Sequence, residues 1–587
     1  MKRLFSIFLF LFCFFFFSSP SLALTQFSTE YYITYQVQPD GNTHVKFDIS
    51  QTNNLSQVYA TDYSLSLSQT QVSNISVTDV GNQITPAVNQ TQNLTNISFP
   101  FINKVVGKGK VHRFTIEYDT QDIAVQNSST WEINIPQLEP KEDIVQQTIQ
   151  LITPADFPEL AYINPAPSQT SGHTYTFTSH SLANQSISAL FGTTQYYHLR
   201  LYYNLENTSG GKVQKEIALP PNTGYQQVYI TQLSPSPENI TVDGDGNWLA
   251  QYQLDAKSNL QVSYTAFVRL NFQPDTALTS PQNFHTQPLS VWNYQDPTLN
   301  QFNLDNITTA RSIYDYVTQV LTYNYQRLND DLSRPGAAYA LLHPTEVICT
   351  EFTDLFIALA RKQSIPAREI QGFALSQNDQ LRPLSLSRDV LHSWPEYYNS
   401  QTDTWVQVDP TWTDTTNGID YFNKLDLNHI TFVIHGQNPD YPLPAGAYKT
   451  SQSDSKDIYV EVASAVDFPS PQIQAEIVSQ TPKTITIEFH NSSGVAYQSD
   501  ISITSPLLNQ PSSHSLYLPP FSHQQLDIDL PIQLPRFNSQ PLEITISDNQ
   551  QSITLNTSAS AANYLLFLVP IPLVLLLLIY LFFKYRR

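Results

Sequence analysis

The sequence predicts a multidomain, mostly β chain with one α+β domain in its second half and a single membrane helix at its C-terminus. Three observations predict this. The 587 residues exceed what one hydrophobic core supports and point to roughly three or four domains. The hydrophobic period is close to two over most of the chain, turns helical after about Pro288, and returns to two near Ile458. Apolar runs stand at both ends.

The N-terminal run follows Lys2 and Arg3, spans Leu4 to Phe17, and leads to the small residues Ser21 and Ala23. This order predicts a signal peptide over 1–23. The C-terminal run, 563–583, is free of charge from Leu565 to Phe583 and would reach roughly 28 Å as a helix, enough for a bilayer core. Lys584, Arg586 and Arg587 in the tail 584–587 mark a cytoplasmic end. The expected topology is single-pass in the cell membrane, with the N-terminal ectodomain outside and a short basic C-terminus inside.

Residues 24–192 read as an N-terminal β-sandwich-like domain. Tyr31 to Val37 and His44 to Ile49 alternate about a Pro39-Asp40-Gly41 turn, which predicts a hairpin. A second β domain is expected over 193–280. Its Asp243-Gly-Asp245-Gly-Asn247 resembles the start of a calcium loop, but Leu254 stands where the closing Glu is needed, so a hairpin turn is predicted. Residues 285–450 form the expected α+β domain, opened by a helix with Ile313, Val317, Val320 and Leu321 on one face. Residues 455–558 alternate again and predict a C-terminal, immunoglobulin-like sandwich.

Acidic residues outnumber basic ones by 50 to 29, a net charge of −21. No basic stripe is present, so nucleic acid is excluded as a partner. No motif calls for a cofactor, and no clustered ligands signal a metal such as calcium. Asn-x-Ser/Thr triplets, at Asn54 and Asn207 for example, are sparse information in a chain this rich in Asn, Ser and Thr.

Of two cysteines, Cys13 falls in the expected signal peptide, which leaves Cys349 alone in the mature chain. A single thiol outside the cytoplasm closes no internal disulfide. Phe352, Leu355, Phe356 and Leu359 repeat at helical spacing behind it, and the helix should stop near Lys362 before Ile365-Pro366. Cys349 then sits at a helix N-terminus, where the macrodipole and exposed N–H groups favour a thiolate and a developing oxyanion. Leu391 to Tyr398 and Trp405 to Asp409 read as two strands of a hairpin that brings His392 near Asp409. Cys349 is thus a candidate nucleophile, His392 its base and Asp409 the group that orients the imidazole. Singly, a buried thiol, a strand histidine and an Asp before proline are each more often structural. His343 and His429 fit no motif and are taken as structural. Arg361 and Arg368 are expected to pair with carboxylates.

The segments Gly336-Ala-Ala-Tyr-Ala-Leu, Cys349-Thr-Glu-Phe-Thr-Asp-Leu-Phe, Ile365-Pro-Ala-Arg368, His392-Ser-Trp-Pro-Glu and Trp405-Val-Gln-Val-Asp409-Pro-Thr-Trp412 occur in order. In this, residues 290–450 resemble the transglutaminase-like core, a papain-like thiol fold found in secreted and membrane-anchored prokaryotic proteins. The resemblance implies a Cys349–His392–Asp409 triad that works through a thioester; Trp394 is a candidate beside substrate or oxyanion that would shield the thiol–imidazole pair, with core packing as the equal alternative. Members often carry Gly-Asp or Gly-Val before the cysteine, where this chain has Val347-Ile348. The implied function is extracytoplasmic acyl transfer or amide hydrolysis, cysteine-protease-like, on a peptide or cell-envelope substrate. The alternative is a non-catalytic cell-surface binding or scaffold protein with a degenerate core.

Overall fold

The computed structural model describes residues 25–586 apart from 69–70, 92–93, 139–140, 183–184, 276–279, 330–333, 376–390, 417–418, 423–424, 450–455, 482, 532–539, 547–550 and 558–569. The expected signal peptide, 1–23, lies outside the described residues. The chain divides into two compact units, Met1–Gly192 and Thr193–Arg587.

Among its described residues the first unit is all β apart from one helical turn. Phe27–Val37 and Thr43–Asn53 pair antiparallel with Tyr35 opposite Val45, the hairpin that the alternation predicts. They lie within an eight-stranded sheet, beside a four-stranded and a three-stranded one. Every second residue of Thr43–Asn53 is buried. Ile33, Phe47 and Ile116 of the large sheet share one core with Ile133 and Ile187 of the four-stranded sheet and with Leu65 and Ile97 of the small one. Sheets packed face to face over a common apolar layer make a sandwich.

In the second unit, Thr194–Asn207, Gln226–Ser234 and Ser258–Asn271 form a sheet with a fourth strand from far along the chain, Ile458–Ala463. That strand was expected to open the C-terminal sandwich and instead completes the middle one. The C-terminal sandwich proper, Ile473 to Thr557, has sheets of three and four strands around Ile487, Phe489, Ile503 and Ile544. Asp243–Asn247 turns between strands Asn239–Val242 and Trp248–Leu254, as predicted. The turn is also a dock. Asp245 Oδ2 accepts the N–H groups of Gly436 and Gln437, and Asn247 bonds both backbone groups of Ile434.

The α+β core lies between these sandwiches in the chain. Its elements are α1 (Ala310–Val320), α2 (Ala337–Leu342), α3 (Cys349–Lys362), β1 (Ala367–Ala374), β2 (His392–Asn399), β3 (Thr404–Gln407), α4 (Pro410–Thr415) and β4 (His429–His435). The sheet order is β3-β2-β1-β4, antiparallel throughout. Thr309 caps α1, and Ile313, Tyr314 and Val317 are its buried face. α3 is buried on all sides from Cys349 to Arg361, which marks it as the central helix of the core. At Gly372 of β1, opposite His392, an added Cβ would stand 2.0 Å from the carbonyl oxygen of Ile430 on β4. Glycine lets β4 approach β1 that closely.

At the C-terminus a helix runs over Pro570–Lys584. With 15 residues it falls short of the predicted span, and among the described residues no helix is long and apolar enough to cross a membrane. Residues 563–569 of that span lie outside the described residues.

Candidate active site

Cys349 is the first residue of α3, and the extended Ile348 precedes it. Glu351 accepts the Ile348 N–H at 2.9 Å and pairs with Arg327, which fixes the turn on which the sulfur stands. His392 opens β2 opposite Gly372. Asp409 was expected on a hairpin strand. It lies two residues beyond the end of β3 and caps α4, with Oδ1 accepting from Trp412 N at 3.0 Å. Asp before Pro suits this position, because the carboxylate accepts an otherwise unpaired N–H and Pro410 tolerates the first helical residue.

The structure brings the three residues together. Asp409 Oδ2 accepts from His392 Nε2 at 2.9 Å. Because a carboxylate only accepts, the proton of this bond sits on Nε2, and in the neutral ring Nδ1 carries the lone pair. Among the described residues no nitrogen or oxygen donor reaches Nδ1. The Cys349 side chain hydrogen-bonds the ring. Burial would lower the pKa of His392, but the Asp409 carboxylate and the Cys349 sulfur outweigh it and raise the imidazole to about 9. Burial would raise Asp409, but the imidazoles of His392 and His429 hold it well below the usual carboxylate range. Cys349, His392 and Asp409 are all 0 % exposed.

His429, taken from the sequence as structural, belongs to this group. It opens β4, its Nε2 reaches Asp409 Oδ2 at 3.2 Å, and its Nδ1 reaches Asp426 Oδ1 at 2.7 Å. The signal that would have found it is the Asp426-x-x-His429 spacing just before β4. Atoms of His392, Asp409 and His429 lie within 4.8 Å of one another, close enough to raise the question of a metal. Both N···O contacts are hydrogen bonds of ordinary length, and the cluster reads as a proton-bearing network.

Trp394 was expected beside the substrate. Its indole is fully buried, stacks on His392 with 5.7 Å between ring centroids, and donates to Gln407 Oε1 at 3.2 Å. It holds the imidazole from one side while Trp412 stacks at 5.3 Å. Arg368 pairs with Glu396 as expected. Among the described residues Arg361 forms no ion pair with a carboxylate and bonds carbonyls instead. It donates to the carbonyls of Ala367, Gln287 and Gly436 and lies over Trp292, tying the end of α3 to the start of β1 and to two loops.

Comparison with known proteins matches residues 298–410 to the family described as the transglutaminase-like superfamily. No curated protein matches the chain with significance. Similar solved structures include a candidate cysteine protease from Cytophaga hutchinsonii (12% identity, 62% of this chain, 99% of that one, TM-score 0.29). The periplasmic domain of TgpA from Pseudomonas aeruginosa (14%, 38% of this chain, 91% of that one, TM-score 0.17) and red sea bream transglutaminase (9%, 88% of this chain, 80% of that one, TM-score 0.17) are others. At such TM-scores these likenesses carry no argument, and the assignment rests on the family match. That match takes in Cys349, His392 and Asp409 and stops short of His429. Residues 298–410 form a core of the transglutaminase-like superfamily, set in a chain that is mostly β among its described residues.

Proposed function

We propose that this chain is an extracytoplasmic thiol enzyme, anchored by its apolar C-terminus, that transfers or hydrolyses amide acyl groups on a peptide or cell-envelope substrate. The observation that carries the reading is the 2.9 Å bond from His392 Nε2 to Asp409 Oδ2, which turns the other imidazole nitrogen to the thiol at the start of α3. His392 takes the Cys349 proton, and the sulfur attacks the carbonyl carbon. A tetrahedral oxyanion forms near the first turn of α3, where the helix field favours negative charge. As the C–N bond breaks, the leaving amine takes the proton from His392 and a thioester remains. Water or a second amine, deprotonated by His392, then attacks the thioester and the C–S bond breaks. Water gives hydrolysis and an amine gives transfer. The anchor is supported by the charge-free run from Leu565 to Phe583 and the basic tail behind it.

A second reading, a binding or scaffold protein, draws on the complete burial of Cys349 and on Val347-Ile348 before it. Incubating the full-length protein with a library of glutamine-containing peptides and a labelled amine separates the two. The enzyme reading expects amine incorporation or ammonia release, reduced about 10³-fold or more in Cys349→Ala. Equal, background-level turnover in both proteins favours the scaffold.

A further inference from the structure

His429 is buried, lies outside the family match, and has no part in the three-residue mechanism. Its surroundings are specific. Asp426 Oδ1 faces its Nδ1 at 2.7 Å, and Asp409 Oδ2 faces its Nε2 at 3.2 Å. Ionised carboxylates only accept, so both ring nitrogens must donate, and a histidine that donates from both nitrogens is an imidazolium. Charges of alternating sign then run from Asp426 through His429 to Asp409, which in turn meets His392. Asp409 stands in the middle, and a single oxygen of it serves both rings.

The geometry points to His429 as a positioning residue, and we propose that, clamped by Asp426, it fixes Asp409 Oδ2 and sets how much of the Asp409 charge is left to His392. This proposal rests on the thiol-triad reading above. With His429 charged, the carboxylate is shared, and His392 returns its proton to the leaving amine more readily than an imidazolium facing an unshared carboxylate would. The clamp is held from outside the core. Tyr197, on the middle sandwich, donates its hydroxyl to Leu427 O at 2.7 Å, and Asn428 Oδ1 lies 3.1 Å from the same oxygen. Gln226 of the same sandwich bonds both backbone groups of Thr431 in β4. The middle sandwich therefore sets where His429 sits, which gives it a role in the chemistry without touching substrate.

The groups that face His429 are Asp426 on the preceding turn, Asp409 at the α4 cap and His392 on β2 with Cys349 behind it. The rings of Trp394 and Trp412 pack on it at 4.9 and 4.5 Å, and the Tyr197 hydroxyl lies on the adjoining turn. Burial would lower His429, but Asp426 and Asp409 raise it to about 9, in keeping with the doubly protonated ring.

The test is a ¹⁵N-histidine NMR titration of the full-length protein, with the His392 signal identified through His392→Gln. In His429→Gln, which keeps a neutral donor toward Asp409, and in Asp426→Asn, which keeps the side-chain shape and releases the His429 charge, the His392 titration should move up by roughly one pH unit. A merely structural His429 would leave it in place, and an unchanged His392 titration in Asp426→Asn overturns the proposal even where His429→Gln fails to fold. A Cys349→Ser protein, run in parallel, separates the two readings. If that change leaves His392 unmoved, the triad reading fails, while the effect of His429 on His392 is still read from the other two variants.

Discussion

Asp409→Asn is expected to lower acylation by roughly 10³- to 10⁴-fold, read as the single-turnover burst with an activated ester. The size follows from how many jobs one side chain does. Asp409 Oδ1 caps α4 through Trp412 N, and Oδ2 accepts from both His392 and His429. An amide in its place supplies one acceptor oxygen and an NH₂ group that cannot accept. If the NH₂ faces the imidazoles, His392 must turn its lone pair toward it, the proton moves to Nδ1, and the nitrogen beside the sulfur ceases to be a base. If the oxygen faces them, the cap to Trp412 is lost and the charge that raises His392 is gone in either case. The burst should therefore collapse even in protein that folds. A variant that keeps the burst within tenfold of the original would mean that the carboxylate does not orient the base.

Arg334→Ala is expected to cost about 3–5 kcal/mol, measured as the drop in the denaturant-induced unfolding free energy of the second unit. Arg334 binds Asp354 on α3 with two nitrogens and also donates to Glu369 on β1 at 2.8 Å. Both carboxylates are fully buried. Asp354 also accepts from Trp292 Nε1 at 2.8 Å, and Glu369 accepts from the Ser393 hydroxyl at 2.6 Å and from His435 Nδ1 at 3.0 Å. Removing the guanidinium leaves two buried negative charges facing each other, which costs more than the pair contributed. Combining Arg334→Ala with Asp354→Asn and Glu369→Gln should recover a large part of the loss. The site feels the same change, because Arg334 joins the helix that begins with Cys349 to the strand that faces His392.

Local features of the fold were the most readable from sequence. The Pro39-Asp40-Gly41 hairpin, the helix behind Cys349 with its end at Lys362, and the strand from His392 all follow from period and punctuation within a dozen residues. Asp409 was found as a residue and misplaced as an element, because the alternation of Trp405, Gln407 and Asp409 continued the strand on paper while Asp-Pro started a helix in fact. What stayed hidden depends on distant chain. Ile458–Ala463 alternates like any strand, and nothing local says that its partner lies more than 250 residues earlier. Arg361 gives no sign that carbonyls will occupy its guanidinium. His429 could be tied to Asp409 only once β4 was known to begin beside it, since the order of strands in a sheet is not written in the strands themselves.

The central claim is that His392, oriented by Asp409, activates Cys349. With its pKa raised to about 9, the His392 imidazolium persists through neutral pH once it has taken a proton, and it is lost as pH rises through about 9. The same sign applies to folding. A histidine raised above its unfolded value of about 6.5 contributes stability below that value, and the contribution fades as pH climbs through the folded one. The most direct measurement is the rate at which iodoacetamide alkylates Cys349 at pH 7, followed by mass spectrometry in the original protein and in His392→Ala. The account predicts a fall of at least about tenfold in the variant. Equal rates in the two proteins would contradict it.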